Sequence, residues 1–153
     1  MGLIDAIGAG PVALDTSVFI YFIEAHPSYL PLIKPIFVKV DQGDLQAATS
    51  ALTLLEVLVV PYRDGNLPLA ERYEQLLTRG QGLRMVPLDN AHLRAAAQLR
   101  AVHGVRTPDA IQLAAALSAR CTTFVTNDRS IRGVAELRIL QLEEHEEDTP
   151  EEE

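Results

Sequence analysis

Five short apolar runs alternate with helix-length segments along this chain, and that rhythm constrains the fold more than any other feature. The runs fall at 12–14, 45–51, 83–88, 122–126 and 137–142. The segments between them carry helix signals. Residues 16–24 are apolar at 18, 19, 20, 22 and 23. A second helix is expected to start with Pro35 in its first turn and to end before Gly43. Thr53 and Glu56 have the T-x-x-E spacing of a capping box, so a third helix opens there and runs through 57–60. Residues 68–78 are amphipathic. Asp89 or Asn90 caps a helix that reaches His103, with Gly104 as its stop. Thr107 at N-cap, Pro108 at the first helical position and Asp109 behind it predict another. Strands separated by whole helices pair in parallel, because a parallel pair needs a long crossover. The expectation is an α/β fold with a mainly parallel sheet and helices on both faces. In such sheets ligands bind beyond the carboxyl ends of the strands.

With 153 residues the chain has room for one domain. A single cysteine, Cys121, excludes an internal disulfide and any multi-cysteine zinc site, and a buried inert thiol is expected there. The four histidines lack zinc-ligand spacing. The net charge of −8 comes from one place. Residues 143–153 hold eight acids and no Lys or Arg, which leaves 13 acids against 13 bases in the body. We therefore divide the chain into a folded body, 1–142, and an acidic tail, 143–153, expected to be disordered beyond about residue 144. No apolar run approaches the roughly 20 residues that span a bilayer, and the N-terminus lacks a basic region followed by a long apolar one. A cytoplasmic protein without membrane contact is expected.

Four acids lie in apolar surroundings: Asp15 in ALDTSVF, Glu56 in LTLLEVLV, Asp109 in TPDAIQLAA and Asp128 in FVTNDRS. Each has an ordinary reading as a helix cap or a dipole partner. Together they converge. Asp15 and Asp128 close strands, while Glu56 and Asp109 open helices, so all four can reach the carboxyl edge of one sheet. Clustered carboxylates repel unless a proton or a cation intervenes. Oxygen ligands without Cys or His suit Mg²⁺ or Mn²⁺. Such a site supports metal-assisted phosphodiester hydrolysis. Asp89 also follows a strand, and pattern alone does not exclude it.

The segments ALDTSVFIYFIE (13–24), the helix-borne Glu56, RTPDAIQLAAAL (106–117) and TFVTND (123–128) resemble a PIN-domain protein, and specifically a VapC-type ribonuclease toxin. The resemblance covers about residues 12–142. It implies a three-layer α/β/α sandwich, Mg²⁺- or Mn²⁺-dependent cleavage of RNA, homodimerisation and inhibition by a small VapB-like antitoxin. The family's acidic site falls on Asp15, Glu56, Asp109 and Asp128, with Thr16, Ser17 and Asn127 as polar support; Asp89 lies outside that pattern. On this reading Asp15 and Asp109 bind the principal metal, and Asp128 and Glu56 complete the cluster. Arg106 and Arg129 flank two of the motifs and are candidates to meet phosphate. Phe19, Tyr21 and Phe22 form an aromatic stripe, for which packing is the simpler use and base stacking the sharper one.

Two other readings compete. A phosphoryl-aspartate protein also ends a strand on Asp, but Asp15 lacks a D-x-D partner and both lysines, Lys34 and Lys39, come early. A catalytically silent PIN fold that binds RNA or protein is the stronger alternative. Metal-dependent RNA cleavage separates it from the enzyme.

Overall fold

The computed structural model of the chain describes residues 2–148 except 132, 133 and 135. Five strands form one sheet: β1 (Val12–Leu14), β2 (Ala47–Ser50), β3 (Leu83–Val86), β4 (Thr123–Thr126) and β5 (Arg138–Gln141). Their order is β3-β2-β1-β4-β5, and every pair is parallel. The chain thus winds outward from β1 to β3, then returns to the other side of β1 with β4. The crevice at that reversal is where an open α/β sheet binds ligands.

Among the described residues, seven α-helices cover the sheet: α1 (Leu3–Ile7), α2 (Thr16–Ile23), α3 (Leu30–Asp41), α4 (Leu52–Arg63), α5 (Leu67–Arg79), α6 (Asn90–His103) and α7 (Thr107–Ser118). Alternation along the strands splits the core in two. Val12, Leu14 and Val125 face a cluster with residues of α1–α5, including Phe19, Ile33, Val57 and Tyr73. Ala13, Ala48 and Phe124 face the opposite side, against Leu113 and Ala116 of α7. Helix α6 packs on α7 through Ala96, Ala110 and Ala114. The expected three layers are present.

Several local expectations hold to the residue. Asp89 caps α6 by accepting from the His92 N–H at 2.8 Å, and Gly104 ends it in the left-handed region, φ +67°, where a side chain would be strained. Others shift. Helix α1 has no counterpart in the sequence reading. Helix α3 begins five residues before Pro35: Pro31 takes the first turn, and Pro35 sits inside the helix. Helix α7 starts at Thr107 with Arg106, not Thr107, at N-cap. The capping box at Thr53 is absent. Helix α4 begins at Leu52, whose N–H donates to Ser50 Oγ at 3.1 Å, and Thr53 is wholly buried.

Helix α7 is buried along residues 109–116, so it offers no outer surface to a second chain. Its alanines let it lie close against the alanines of β1 and β2, where larger side chains would overpack. Helix α4 is the opposite case: Leu55, Val59 and Tyr62 remain half exposed or more along one stripe. After β5 a 3-10 helix runs over Leu142–Asp148. Leu142 is buried in the core, and Glu143 pairs with Arg129. Residues 149–153 of the acidic tail lie outside the described residues. Cys121 is buried, and burial pushes its thiol up to about 11. Among the described residues, no helix is long and apolar enough to cross a membrane.

Candidate active site

A cleft of about 530 Å³ opens at the carboxyl edge of the sheet, above the reversal between β1 and β4. Asp15, Glu56, Asp109 and Asp128 all line it, together with Thr16, Ser17, Asn127, Arg106 and Arg129. The four acids, their three polar supports and both arginines therefore reach one place. Asp89 does not line the cleft and serves as a helix cap. None of the four histidines lines it either.

Asp15 follows β1 directly and caps α2, with one carboxylate oxygen accepting from the Thr16 N–H at 2.8 Å. Its other oxygen accepts from Thr126 Oγ1 at 2.6 Å. Thr126 ends β4, the strand beside β1, so sheet pairing brings the two together. The same hydroxyl oxygen accepts from the Asp128 N–H at 3.0 Å. Thr126 thereby ties the acids of two adjacent strands. These bonds are to neutral groups. Burial raises the Asp15 carboxyl above its ordinary value, against the pull of Thr126 and Thr16, and the charges of Glu56 and Asp109 raise it further.

Glu56 comes in from α4 and accepts from Thr16 Oγ1 at 2.8 Å. Behind that pair lies a buried polar network. Gln112 Nε2 donates to Thr53 Oγ1 at 2.8 Å, and Gln112 Oε1 accepts from the Ser50 N–H at 3.3 Å. Thr53 meets Thr49 at 2.7 Å, and Thr49 donates to the Leu14 carbonyl at 2.9 Å. The Thr49 proton is thus committed, which makes Thr53 the donor between them. This network, not a capping box, fixes Thr53 and the floor beneath Glu56.

Asp109 lies in the first turn of α7 and is buried; Asp128 lies just past β4. Arg106 spans them. Its Nε donates to Asp109 Oδ2 at 3.0 Å and its Nη2 to Asp128 Oδ2 at 2.8 Å. Ser130 donates to Asp128 Oδ1 from its hydroxyl at 2.6 Å and from its N–H at 2.9 Å. The Ser130 hydroxyl bond, its backbone bond and the Arg106 charge hold the Asp128 carboxyl below its ordinary value.

The supporting groups differ in how they are engaged. Among the described residues, Ser17 Oγ and Asn127 Oδ1 are buried and have no hydrogen-bond partner. The Asn127 amide donates to the Tyr21 hydroxyl at 3.1 Å. Arg129 reaches the cleft rim but pairs with Glu143 at 2.8 Å. The aromatic stripe divides. Phe19 is buried and meets Phe37 edge-on, and Phe22 stacks on Phe37 at 4.0 Å, so both pack. Tyr21 alone lines the cleft, and its ring stacks on Tyr29 at 4.9 Å.

The sequence did not point to Gln112, Thr126, Thr49 or Ser130, and it pointed to Thr53 only as a helix cap. One signal was available: Gln112 is the sole polar residue in AIQLAAAL, three residues after Asp109 and hence on its face of the helix.

The donor set is four hard carboxylates with a free buried hydroxyl, which suits Mg²⁺ or Mn²⁺. Among the described residues, no three acids or histidines stand close enough to grip one ion. Two of the four carboxylates already hold a cation, the Arg106 guanidinium, while Asp15 and Glu56 have only neutral donors. The cleft fits a divalent cation by chemistry and by unmet charge, with Arg106 in part of its place.

A family model for the PIN domain matches residues 12–137. No curated protein matches the chain. Among the solved structures similar in fold are the following three. VapBC2 from Rickettsia felis, bound to a DNA fragment from its promoter, aligns with a TM-score of 0.61 at 16% identity, over 85% of this chain and 97% of that one. A toxin–antitoxin complex from Klebsiella pneumoniae gives 0.61 at 18% identity, over 82% and 94%. VapBC-5 from Mycobacterium tuberculosis, of the VapBC toxin–antitoxin family, gives 0.50 at 25% identity, over 86% and 98%.

Proposed function

The chain belongs to the PIN domain family, and from that premise we propose that it is a metal-dependent endoribonuclease, the toxin of a type II toxin–antitoxin pair. One observation carries the reading. Four carboxylates from four separate segments meet in one cleft at the sheet's reversal, and the chain supplies fewer cations than they require. Mg²⁺ or Mn²⁺ would be held principally by Asp15 and Asp109, with Asp128 and Glu56 completing the set. Such an ion polarises a phosphoryl oxygen and lowers the pKa of the attacking water.

The remaining steps belong to the chain's own residues. Thr126 and the Thr16 N–H hold Asp15 in one orientation. Thr16 Oγ1, backed by the Gln112 network, does the same for Glu56. Ser17 and Asn127 offer buried oxygen atoms to the cleft. Arg106 and Arg129, both largely exposed, are the groups that meet RNA phosphate. The nuclease body is 1–142, and 143–153 is an acidic appendage. A small VapB-like antitoxin covers the cleft, by analogy with the complexes above. Two copies associate through the outward stripe of α4.

Incubating the purified protein with mixed RNAs in Mg²⁺, in Mn²⁺ and in EDTA tests the reading. Cleavage is expected with either metal and not in EDTA. The hold of Arg106 on two of the four carboxylates favours a second reading, a catalytically silent PIN module. RNA retention without cleavage under all three conditions would put that reading first.

A further inference from the structure

Arg106 holds the oxygens that a metal would need, and it holds them from an exposed position. It is the N-cap of α7, with extended backbone angles, φ −68° and ψ 157°, so its side chain leaves the helix start instead of lying along the helix. One guanidinium bridges Asp109 and Asp128, while its side chain stays 66% exposed. Asp109 is buried, but the arginine end of both pairs is open to solvent, and solvent on that side weakens an ion pair. The guanidinium takes one lone-pair direction of Asp109 Oδ2 and of Asp128 Oδ2, and it repels a divalent ion brought to bonding distance of either oxygen. Entry of the ion at those oxygens therefore works against the guanidinium. Once displaced, it stays tethered at the mouth of the cleft, within reach of the phosphate of a bound RNA.

We propose that Arg106 is an exchangeable counter-ion: it closes the Asp109–Asp128 pair when no divalent ion is present, and moves to the RNA phosphate when one binds. The second half rests on the ribonuclease reading, and the first does not. By linkage, metal and RNA then favour each other. RNA draws Arg106 outward and frees the carboxylates, and metal frees Arg106 for RNA.

Mn²⁺ titration of the full chain without RNA, followed by electron paramagnetic resonance, reads the first half. Arg106→Gln is expected to bind Mn²⁺ about threefold to tenfold more tightly than wild type, the span set by losing two ion pairs that are open to solvent on the arginine side. Arg106→Lys keeps the charge but not the fork, and is expected to fall between them. Arg129→Gln removes a charge from the same rim without touching Asp109 or Asp128, and should stay within about twofold of wild type. Asp109→Asn should abolish binding. Equal or weaker Mn²⁺ binding by Arg106→Gln, with Asp109→Asn still inactive in binding, would overturn the exchange. An Arg129→Gln gain as large as that of Arg106→Gln would overturn it too, since net charge would then suffice.

Steady-state cleavage at saturating Mn²⁺ reads the second half. Arg106→Gln should raise KM for RNA about tenfold with little change in kcat, as expected for loss of a contact made equally in ground and transition states. An unchanged KM overturns the phosphate role. Tighter Mn²⁺ binding by a protein that cuts no RNA would overturn the ribonuclease reading and leave the exchange standing. Absence of Mn²⁺ binding in every variant overturns both.

Discussion

The two sides of the acidic cleft settle their charge by different means. On one side, Asp15 and Glu56 accept only from hydroxyls and a backbone N–H, and Gln112, Thr53 and Thr49 stand behind them. On the other, Asp109 and Asp128 share a guanidinium and Asp128 gains Ser130. Neutral donors fix where a carboxylate points, yet they leave its charge largely uncompensated once water is excluded. An arginine compensates the charge but, being exposed, fixes direction less well. The carboxyl values follow: Asp15 is pushed up by burial, and Asp128 is drawn down, first by Ser130. The first side fixes direction and leaves charge unmet; the second meets its charge with a guanidinium open to solvent.

The largest test breaks the comparison at its charged centre. Asp15→Asn and Asp109→Asn keep side-chain shape and remove one ligand each. Either should lower RNA cleavage by at least about a hundredfold, beyond the losses typical of groups that only support a ligand. The protein should stay folded by circular dichroism. Wild-type rates from both variants, after removal of contaminating nuclease, would dismiss the site.

Next comes the support on the neutral side. Gln112→Ala strands Thr53 and the Ser50 N–H in a buried region, at a cost of about 1–3 kcal/mol in urea unfolding. Cleavage should fall about tenfold through loss of Thr16 and Glu56 alignment. Unchanged stability would mean that the buried network adds nothing to the fold.

The opposite carboxyl values give the two sides opposite pH behaviour. A raised value in the folded state means that Asp15 binds its proton more tightly there than in the unfolded chain, so ionisation costs stability. Asp15→Asn should therefore be more stable than wild type near neutral pH without metal, and the gap should close as pH falls through the raised value. Asp128 is lowered, so its stabilisation is complete above the ordinary value of 3.8 and is lost as pH falls below it. Asp128→Asn should be less stable than wild type at neutral pH and converge with it only in stronger acid. Urea midpoints measured across that range check both signs; convergence of the two variants at the same pH would contradict the contrast.

The smallest effect on the cleft is expected from α4, whose outer stripe faces away from both sides. Val59→Glu or Tyr62→Glu places a charge where a second copy would pack, 50% and 55% exposed respectively. Light scattering should report two chains for wild type and one for the variants, with cleavage changed by less than about twofold. A monomeric wild type would remove the dimer.

Much of this molecule was legible one element at a time. The strands and most helices followed from apolar runs and from caps such as Asp89 and Gly104, because those signals act between residues a few positions apart. The four acids were legible for the same reason: a carboxylate placed where a strand ends or a helix begins marks itself. Local reasoning failed where distant groups competed. Thr53 and Glu56 have capping-box spacing, but Thr53 has a better set of partners in Thr49 and Gln112, and Glu56 has Thr16. The aliphatic runs of α4 and α7 look alike in sequence, yet α7 is buried between the sheet and α6, and α4 keeps an exposed stripe.

By itself, then, the sequence determined the α/β class, most of the elements and the positions of the four acids along the chain, since helix period, strand alternation and capping are short-range. Tertiary structure decided which of those acids meet which partners. The order β3-β2-β1-β4-β5 sets β4 beside β1, and only that adjacency lets Thr126 bind Asp15 across 111 residues. It also brings Asp128 within reach of Arg106 at the start of α7. Strand order depends on how whole crossovers pack on the two faces, and no window of a few residues contains that information.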